Sequence, residues 1–318
     1  MTKVIDILNK KGKPFVSFEL VPPLKGSSVD TLYGSLEPLL EFAPPFINVT
    51  CHRDEVEYFP DKDGKYKKLI LSKRPGTVAI VAAILRRFNT EVVPHVICGG
   101  ASKHKIESEL LDLHFLGIKN IMALRGDPIT GQRYFIAEQD GFSHTDGLVE
   151  MINNLNHGQY SDPNVKNGVK TDFCIGVGGY PEKHFESANF SSDIQNLKRK
   201  VDAGADYIIT QMFFDNQKFY DFVQLCRDNG ITVPIIPGLK PISSTKQIEM
   251  LPRSFHIDIP EELVNELQKA KSPREIYDAG TQWCIDQSKD LLNHGVPAIH
   301  YYTMGRADNV QRIVKSVF

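Results

Sequence analysis

IMALRGD, residues 121–127, is an apolar run that ends in a cation, a glycine and a carboxylate, with Pro128 directly behind it. It reads as a buried strand that delivers Arg125, Gly126 and Asp127 to one point. Working outward, the same pattern recurs. FVSFELV (15–21) stops at Pro22-Pro23, FINVT (46–50) follows Pro44-Pro45, and EVVPHVIC (91–98) precedes a helix that Ser102 can cap. FCIGVGGYPE (173–182), DYIITQ (206–211), TVPIIPG (232–238) and PAIHYYT (297–303) complete a set of eight strands. Helical spacing lies between them, at about 28–42, 75–88, 102–116, 146–155, 191–203, 216–229, 243–251, 260–269, 273–294 and 308–317.

Strict strand–helix alternation implies a parallel sheet. Eight units in 318 residues predict an α/β fold, a single (β/α)₈ TIM barrel with extra helices and long surface loops, over residues 1–318. The alternative is an open doubly wound sheet, which would more naturally carry GxGxxG after an early strand. GVGGY comes late and its glycines have other spacing. Residues 51–74, with DKDGKYKK, read as a solvated loop, and 128–145 as another.

The charge balance of -2 and the lack of a long basic run give no support to nucleic acid or anionic lipid as partners. No apolar stretch approaches the ~20 residues of a membrane span, and residues 1–20 lack a signal-peptide pattern. The five cysteines are scattered without a CxxC pair, so neither structural zinc nor a disulfide framework is expected, and a cytoplasmic location fits.

In a barrel of this kind the active site lies at the carboxyl ends of the strands. Those ends carry Glu19, Thr50, His95, Arg125 with Asp127, Tyr180 with His184, Gln211, and Tyr302, Thr303 and Arg306. Glu19 is the most informative. Alternation puts it with Phe15, Ser17 and Val21 on one face, opposite Val16, Phe18 and Leu20. A carboxyl inside a barrel must be desolvated or paired. Desolvation raises its pKa and suits a general acid; pairing would make it a structural ion pair. His95 reads as a satisfied core residue as readily as a catalyst, and no metal-ligand spacing accompanies it. In SSDIQNLKRKVDAG, Asp193, Asn196 and Lys200 share one stripe with Arg199 beside it; this is either a solvated face or a phosphate clamp. Gln211, followed by Phe213 and Phe214, can donate and accept at once, as a pterin or amide edge requires.

Together SFELVPP, NVT, PHVIC, ALRGD, GYPEKH, NLKRKVDAGAD, ITQMFFD, PGLKPI and HYYTMGR occur in the order and near the spacing of the bacterial methylenetetrahydrofolate reductase family, which the chain resembles from about residue 14 to 315. The resemblance implies a barrel that binds FAD non-covalently. NADH or NADPH passes a hydride to the flavin, and the flavin reduces 5,10-methylenetetrahydrofolate to 5-methyltetrahydrofolate. Glu19 matches the acid that protonates the bridged folate so that its ring opens to a 5-iminium cation. Asp127 matches the aspartate beside flavin and pterin, where a carboxylate stabilises that cation. Gln211, Gln247 and Arg306 match substrate positions. Thr50, His95, Leu124, Arg125, Gly126, Asp127, Tyr180, His184, Asp193, Asn196, Arg199 and Lys200 match FAD contacts. Family members are often homo-oligomers, which makes a homo-oligomer the expectation here.

Some positions depart from the pattern. Leu251 stands where some bacterial members have phenylalanine, and Gly305 replaces a larger polar residue. Two other readings remain from the residues: a flavin- or folate-binding subunit of a larger redox complex, and an unrelated barrel lyase. The lyase would want a strand lysine, yet only Lys119 lies near a predicted strand, at its edge.

Overall fold

In the computed structural model of the chain, which describes residues 2–10, 12–305 and 307–318, the elements run α1 (Val4–Asn9), β1 (Phe15–Leu20), α2 (Val29–Leu40), β2 (Ile47–Val49), β3 (Glu55–Pro60), β4 (Tyr66–Leu71), α3 (Thr77–Arg87), β5 (Val92–Ile97), α4 (Lys103–Phe115), β6 (Asn120–Leu124) and α5 (Thr145–Asn156). They continue as β7 (Cys174–Gly179), α6 (Phe190–Asp202), β8 (Tyr207–Met212), α7 (Asn216–Asp228), β9 (Ile235–Leu239), α8 (Lys246–Phe255), α9 (Glu261–Lys269), α10 (Pro273–Asn293), β10 (Ala298–Tyr302) and α11 (Asp308–Val317). Eight strands form one closed barrel in the order β1-β10-β9-β8-β7-β6-β5-β2. Every pairing in it is parallel, as the alternation predicts.

Two apolar layers follow from the period-2 geometry of a strand. Val16, Phe18 and Leu20 of β1 face outward, as do Val92 and Val96 of β5 and Ile121 and Ala123 of β6, into a continuous core under the helices. The inward set begins with Phe46, Val93, Met122, Cys174, Tyr207, Ile236 and Ala298, a separate cluster closed from beneath by Val4 of α1. Asn120 fastens α1 there: its Oδ1 accepts from the Val4 amide at 2.8 Å and its Nδ2 donates to the Thr2 carbonyl at 2.9 Å. Gly176 makes room for the Tyr207 ring, which would lie 2.5 Å from a Cβ at that position. Two residues further along β1, β2, β5 and β10 the inward side chains turn polar: Ser17, Asn48, His95 and His300, all buried.

Three local expectations change. Residues 51–74 are not a plain loop: β3 and β4 form an antiparallel hairpin, from Glu55 opposite Leu71 to Pro60 opposite Tyr66. Asp63-Gly64 closes it, with Gly64 at φ +74°, a turn chemistry that the lysine count hid. Helix α6 is capped by Asn189, whose Oδ1 accepts from the Ser192 amide at 2.8 Å, and not by Ser191 or Ser192. Strand β9 spans Ile235–Leu239, three residues later at its start than the run 232–238 suggests.

The shifted strand brings Lys240 to its end, where it is 6% exposed. Among the described residues its ammonium reaches only the Pro241 carbonyl, at 3.4 Å. Burial pulls its pKa down to about 8. A lysine whose folded pKa lies below its unfolded value of 10.5 destabilises the fold while protonated, and that cost disappears as pH rises from about 8 toward 10.5. Lys240→Met should therefore raise stability at pH 7 by roughly 1–3 kcal/mol. Urea unfolding should show the gain shrinking toward pH 10.

Candidate active site

The carboxyl ends of the strands open into a cavity of about 740 Å³. Glu19, Thr50, His95, Leu124, Arg125, Gly126, Asp127, Tyr180, His184, Asp193, Asn196, Arg199, Lys200 and Gln211 all line it. A second cavity of about 570 Å³ shares His144, Asp146 and Arg199 with the first. Gln247 is not among the lining residues of either; its Oε1 accepts from the Ser243 amide at 2.7 Å on α8. Arg306 lies outside the described residues.

Glu19 projects inward from β1, and its carbonyl accepts from Thr303 Oγ1 at 2.7 Å. Its side chain is 12% exposed. Burial raises its pKa from 4.5 to about 8, so the carboxyl is protonated at neutral pH. The neighbour that might have made it an ion pair is His95, whose Nε2 lies 3.8 Å from Glu19 Oε2. Burial, with His52 adding to it, holds His95 down to about 3, so the imidazole is neutral and the pair is not ionic. The desolvated-acid reading of Glu19 fits this geometry. Asp127 lies just past β6 on the same cavity. It follows Gly126, whose φ of +85° turns the chain; a Cβ there would also press on Ile97 at 3.3 Å.

The residues expected to contact FAD line the same cavity. Lys200 donates to the Gly178 carbonyl at 2.7 Å, and burial lowers its pKa to about 8. Arg125 pairs with Glu186 at 2.5 Å, and its guanidinium stands 5.1 Å from the Phe135 ring centre. Asp193 braces its own loop: its carboxylate accepts from the His184 amide at 3.2 Å and from Ser187 Oγ at 2.7 Å. Asn196 Nδ2 reaches Ser187 Oγ at 3.4 Å, and Arg199 bridges Asn196 at 2.7 Å and Asp146 at 3.2 Å. Asp193, Asn196 and Lys200 of α6 therefore face the cavity, while Arg199 lines it with its side chain 55% exposed. Rings pack together here: His184 meets Tyr180 edge-to-face at 4.7 Å, and Phe185 stacks on His256 at 4.4 Å. Burial, reinforced by Arg125, lowers His184 to about 4.

Several lining residues were not foreseen. Arg53, 10% exposed, pairs with Glu138 at 2.9 Å and reaches the Asp127 carbonyl at 3.4 Å. Arg74 donates to the Pro22 carbonyl from the far end of the hairpin. His300 and Asn48 line the floor. The inward alternation of PAIHYYT and FINVT would have located the last two. Nothing local marks Arg53, which the hairpin brings in.

A long cavity with an apolar wall of Ile97, Leu124 and Met212, rings at the rim, and Arg53, Arg125, Arg199 and Lys200 spaced along it suits a flat aromatic group joined to a diphosphate. Among the described residues, no three His, Cys, Asp or Glu side chains are grouped to hold a metal ion. No helix is long and apolar enough to cross a membrane.

The sequence pattern of the methylenetetrahydrofolate reductase family matches residues 3–317. The chain is 31% identical over 303 residues to 5,10-methylenetetrahydrofolate reductase of Escherichia coli, covering 94% of this chain and 88% of that one. It is 31% identical over 315 residues to methylenetetrahydrofolate reductase (NADH) 1 of Arabidopsis thaliana, covering 95% of this chain and 48% of that one. The chain thus spans about half the length of the plant relative. A Clostridium thermocellum protein, described as uncharacterized and as binding two copies of 5-methyl-5,6,7,8-tetrahydrofolic acid, has the same fold, with a TM-score of 0.60 and 14% identity across 98% of this chain and 96% of that one.

The burial of Glu19 carries a stability consequence. Between pH 4.5 and about 8 the unfolded chain is ionised at this carboxyl and the folded one is not. Wild-type stability should therefore fall relative to Glu19→Gln across that window, by roughly 2–4 kcal/mol, and run parallel to it above. Urea titrations of both proteins at each pH read this directly.

Proposed function

Because the chain belongs to the methylenetetrahydrofolate reductase family, we propose that it reduces 5,10-methylenetetrahydrofolate to 5-methyltetrahydrofolate, with FAD as cofactor and NADH or NADPH as reductant. The observation that supports this best is the pairing of a buried, protonated Glu19 with Asp127 on one cavity, in a chain with this family's pattern. The reading takes residues 1–318 as one FAD-binding barrel that works in the cytoplasm as a homo-oligomer and supplies methyl groups for methionine synthesis.

Thr50, His95, Leu124, Arg125, Gly126, Asp127, Tyr180, His184, Asp193, Asn196, Arg199 and Lys200 would hold FAD. Bound there, FAD would accept a hydride from the nicotinamide nucleotide and later yield it to the folate. The chain's own residues do the rest. Glu19, neutral because water is excluded from it, gives its proton to the amine nitrogen that leaves as the imidazolidine ring opens. Asp127 offsets the positive charge that appears on the opened ring. Gln211 presents a donor and an acceptor toward the pterin edge; its Oε1 already accepts from the Met212 amide at 2.9 Å, which fixes its orientation. Arg306 would meet the remainder of the substrate, and Gln247 only the part of it that extends beyond the cavity lining.

The test is spectroscopic. The purified protein, loaded with FAD, should bleach on anaerobic addition of NADH or NADPH and recover its colour when 5,10-methylenetetrahydrofolate is added. A protein that takes up no FAD would refute the reading. Bleaching by an electron-transfer protein but by neither nucleotide would replace it with a subunit of a redox complex. In Glu19→Gln the nucleotide half-reaction should stay within about threefold of wild type, while the folate half-reaction falls by at least ~10²-fold. Equal losses in both halves would remove Glu19 from the proton step.

A further inference from the structure

Glu19 must lose its proton in a place built to keep charge out, and the carboxylate that remains needs a donor. The inward groups around it are few. Asn48 is its register partner on β2 and Tyr302 its partner on β10. His95 approaches from β5 at 3.8 Å. The Tyr302 hydroxyl is committed to the Thr210 carbonyl at 2.6 Å. His95 Nε2 is committed to the Asn48 side-chain amide at 3.2 Å, in either orientation of that amide. Tyr180 and Asp127 stand further along the same cavity wall. Neither His95, held near 3, nor Tyr302, held well above its ordinary value, brings a charge to Glu19.

One polar atom in this layer lacks a protein partner and has its chemistry fixed by what lies behind it. Ser17 and His300 are opposite one another on β1 and β10, both fully buried, with Ser17 Oγ 2.8 Å from His300 Nδ1. Among the described residues that is the only hydrogen bond of the Ser17 hydroxyl. A fully buried hydroxyl donates its hydrogen where it can, and Nδ1 is the acceptor on offer. Nδ1 therefore carries no hydrogen, and the ring proton sits on Nε2. That Nε2 is buried and, among the described residues, without a partner. His300 and Glu19 are diagonal neighbours on the inward face of adjacent strands, about 8 Å apart at their backbones by sheet geometry, and both line the cavity. A water between them would find a further hydrogen-bond site in Asn48 Oδ1, also buried and, among the described residues, without a partner.

We propose that His300 is a positioning residue for the acid: Ser17 locks its tautomer, and its Nε2–H, through one bound water, donates a hydrogen bond to the Glu19 carboxylate left after proton transfer. No proton leaves His300. The O–H bond of Glu19 breaks, the proton goes to the substrate nitrogen, and the bridging water turns a hydrogen toward the new carboxylate. This rests on Glu19 serving as the acid in the reaction proposed above.

Replacing His300 by Leu removes the donor and leaves the carboxylate less stable. The folate half-reaction should slow by about tenfold, and its basic limb should move up by roughly half to one pH unit. Ser17→Ala, which frees the tautomer, should move the limb in the same direction by less. His300→Asn keeps an N–H donor and should return the limb to within ~0.3 unit of wild type. FAD uptake and the nucleotide half-reaction should be unchanged in all three variants, which also reports that they fold. A lower rate with an unmoved limb, or an Asn variant no better than Leu, would assign His300 a packing role and overturn the proposal. An infrared titration of the Glu19 carboxyl, identified by its loss in Glu19→Gln, measures the same shift without turnover. If the wild-type protein reduces no folate, the functional reading fails, while the infrared shift between wild type and His300→Leu still decides the role of His300.

Discussion

The site depends on the closure of a ring of parallel strands. Once β1 pairs with β10 on one side and β2 on the other, the pleat leaves each side chain only two directions, out to the helices or into the barrel. Phe15, Ser17 and Glu19 go in together. The inward set is apolar where α1 closes the base, neutral-polar on β1, β2, β5 and β10 in the next layer, and ionisable at the top. Depth in the barrel thus sets the electrostatic character of each residue, and Glu19 sits where the protein interior gives way to the cavity. A carboxyl one layer up would be solvated, and one layer down would not reach the cavity.

Much of this was legible in the chain. The eight apolar runs, their order, and the polar residues that end them predict the barrel and most of the cavity lining, because period-2 alternation is a local signal. The face on which Glu19 lies came from the residues beside it. What was not legible depends on partners far away in sequence. Whether Glu19 is an ion pair or a desolvated acid turns on the charge of His95, which its own burial keeps low. Whether Asp193 faces water or the site turns on Ser187 and the fold-back of the loop after β7. Arg53 reads as one more charge in a polar segment until the hairpin places it against Glu138 and Asp127.

The hairpin shows how composition can mislead. Lysine-rich and turn-rich, residues 51–74 read as surface loop. Yet VEYFP and YKKLIL carry the β-branched and aromatic residues of strands on either side of an Asp-Gly turn, and lysines on an exposed strand are what such an edge requires. Its tip projects outward with Tyr58, Tyr66 and Ile70 exposed, while its two ends supply Arg53 and Arg74 to the cavity. An insertion that looks peripheral along the chain thus contributes at its root to the mouth of the site.

The seam between β1 and β10 also has a consequence in time. The hydrogen bond from Thr303 to the Glu19 carbonyl spans 284 positions of chain, and the Ser17–His300 contact spans 283. Contacts of that separation carry a large loop-closure entropy and form late. As the chain emerges from a ribosome, Glu19 appears early and stays an ordinary, water-exposed carboxylate until the last strand docks. The acid is therefore a property of the finished ring. An incompletely folded or unzipped chain holds the same residue as an ionised carboxylate, so the protonation of Glu19 reports whether the barrel is closed.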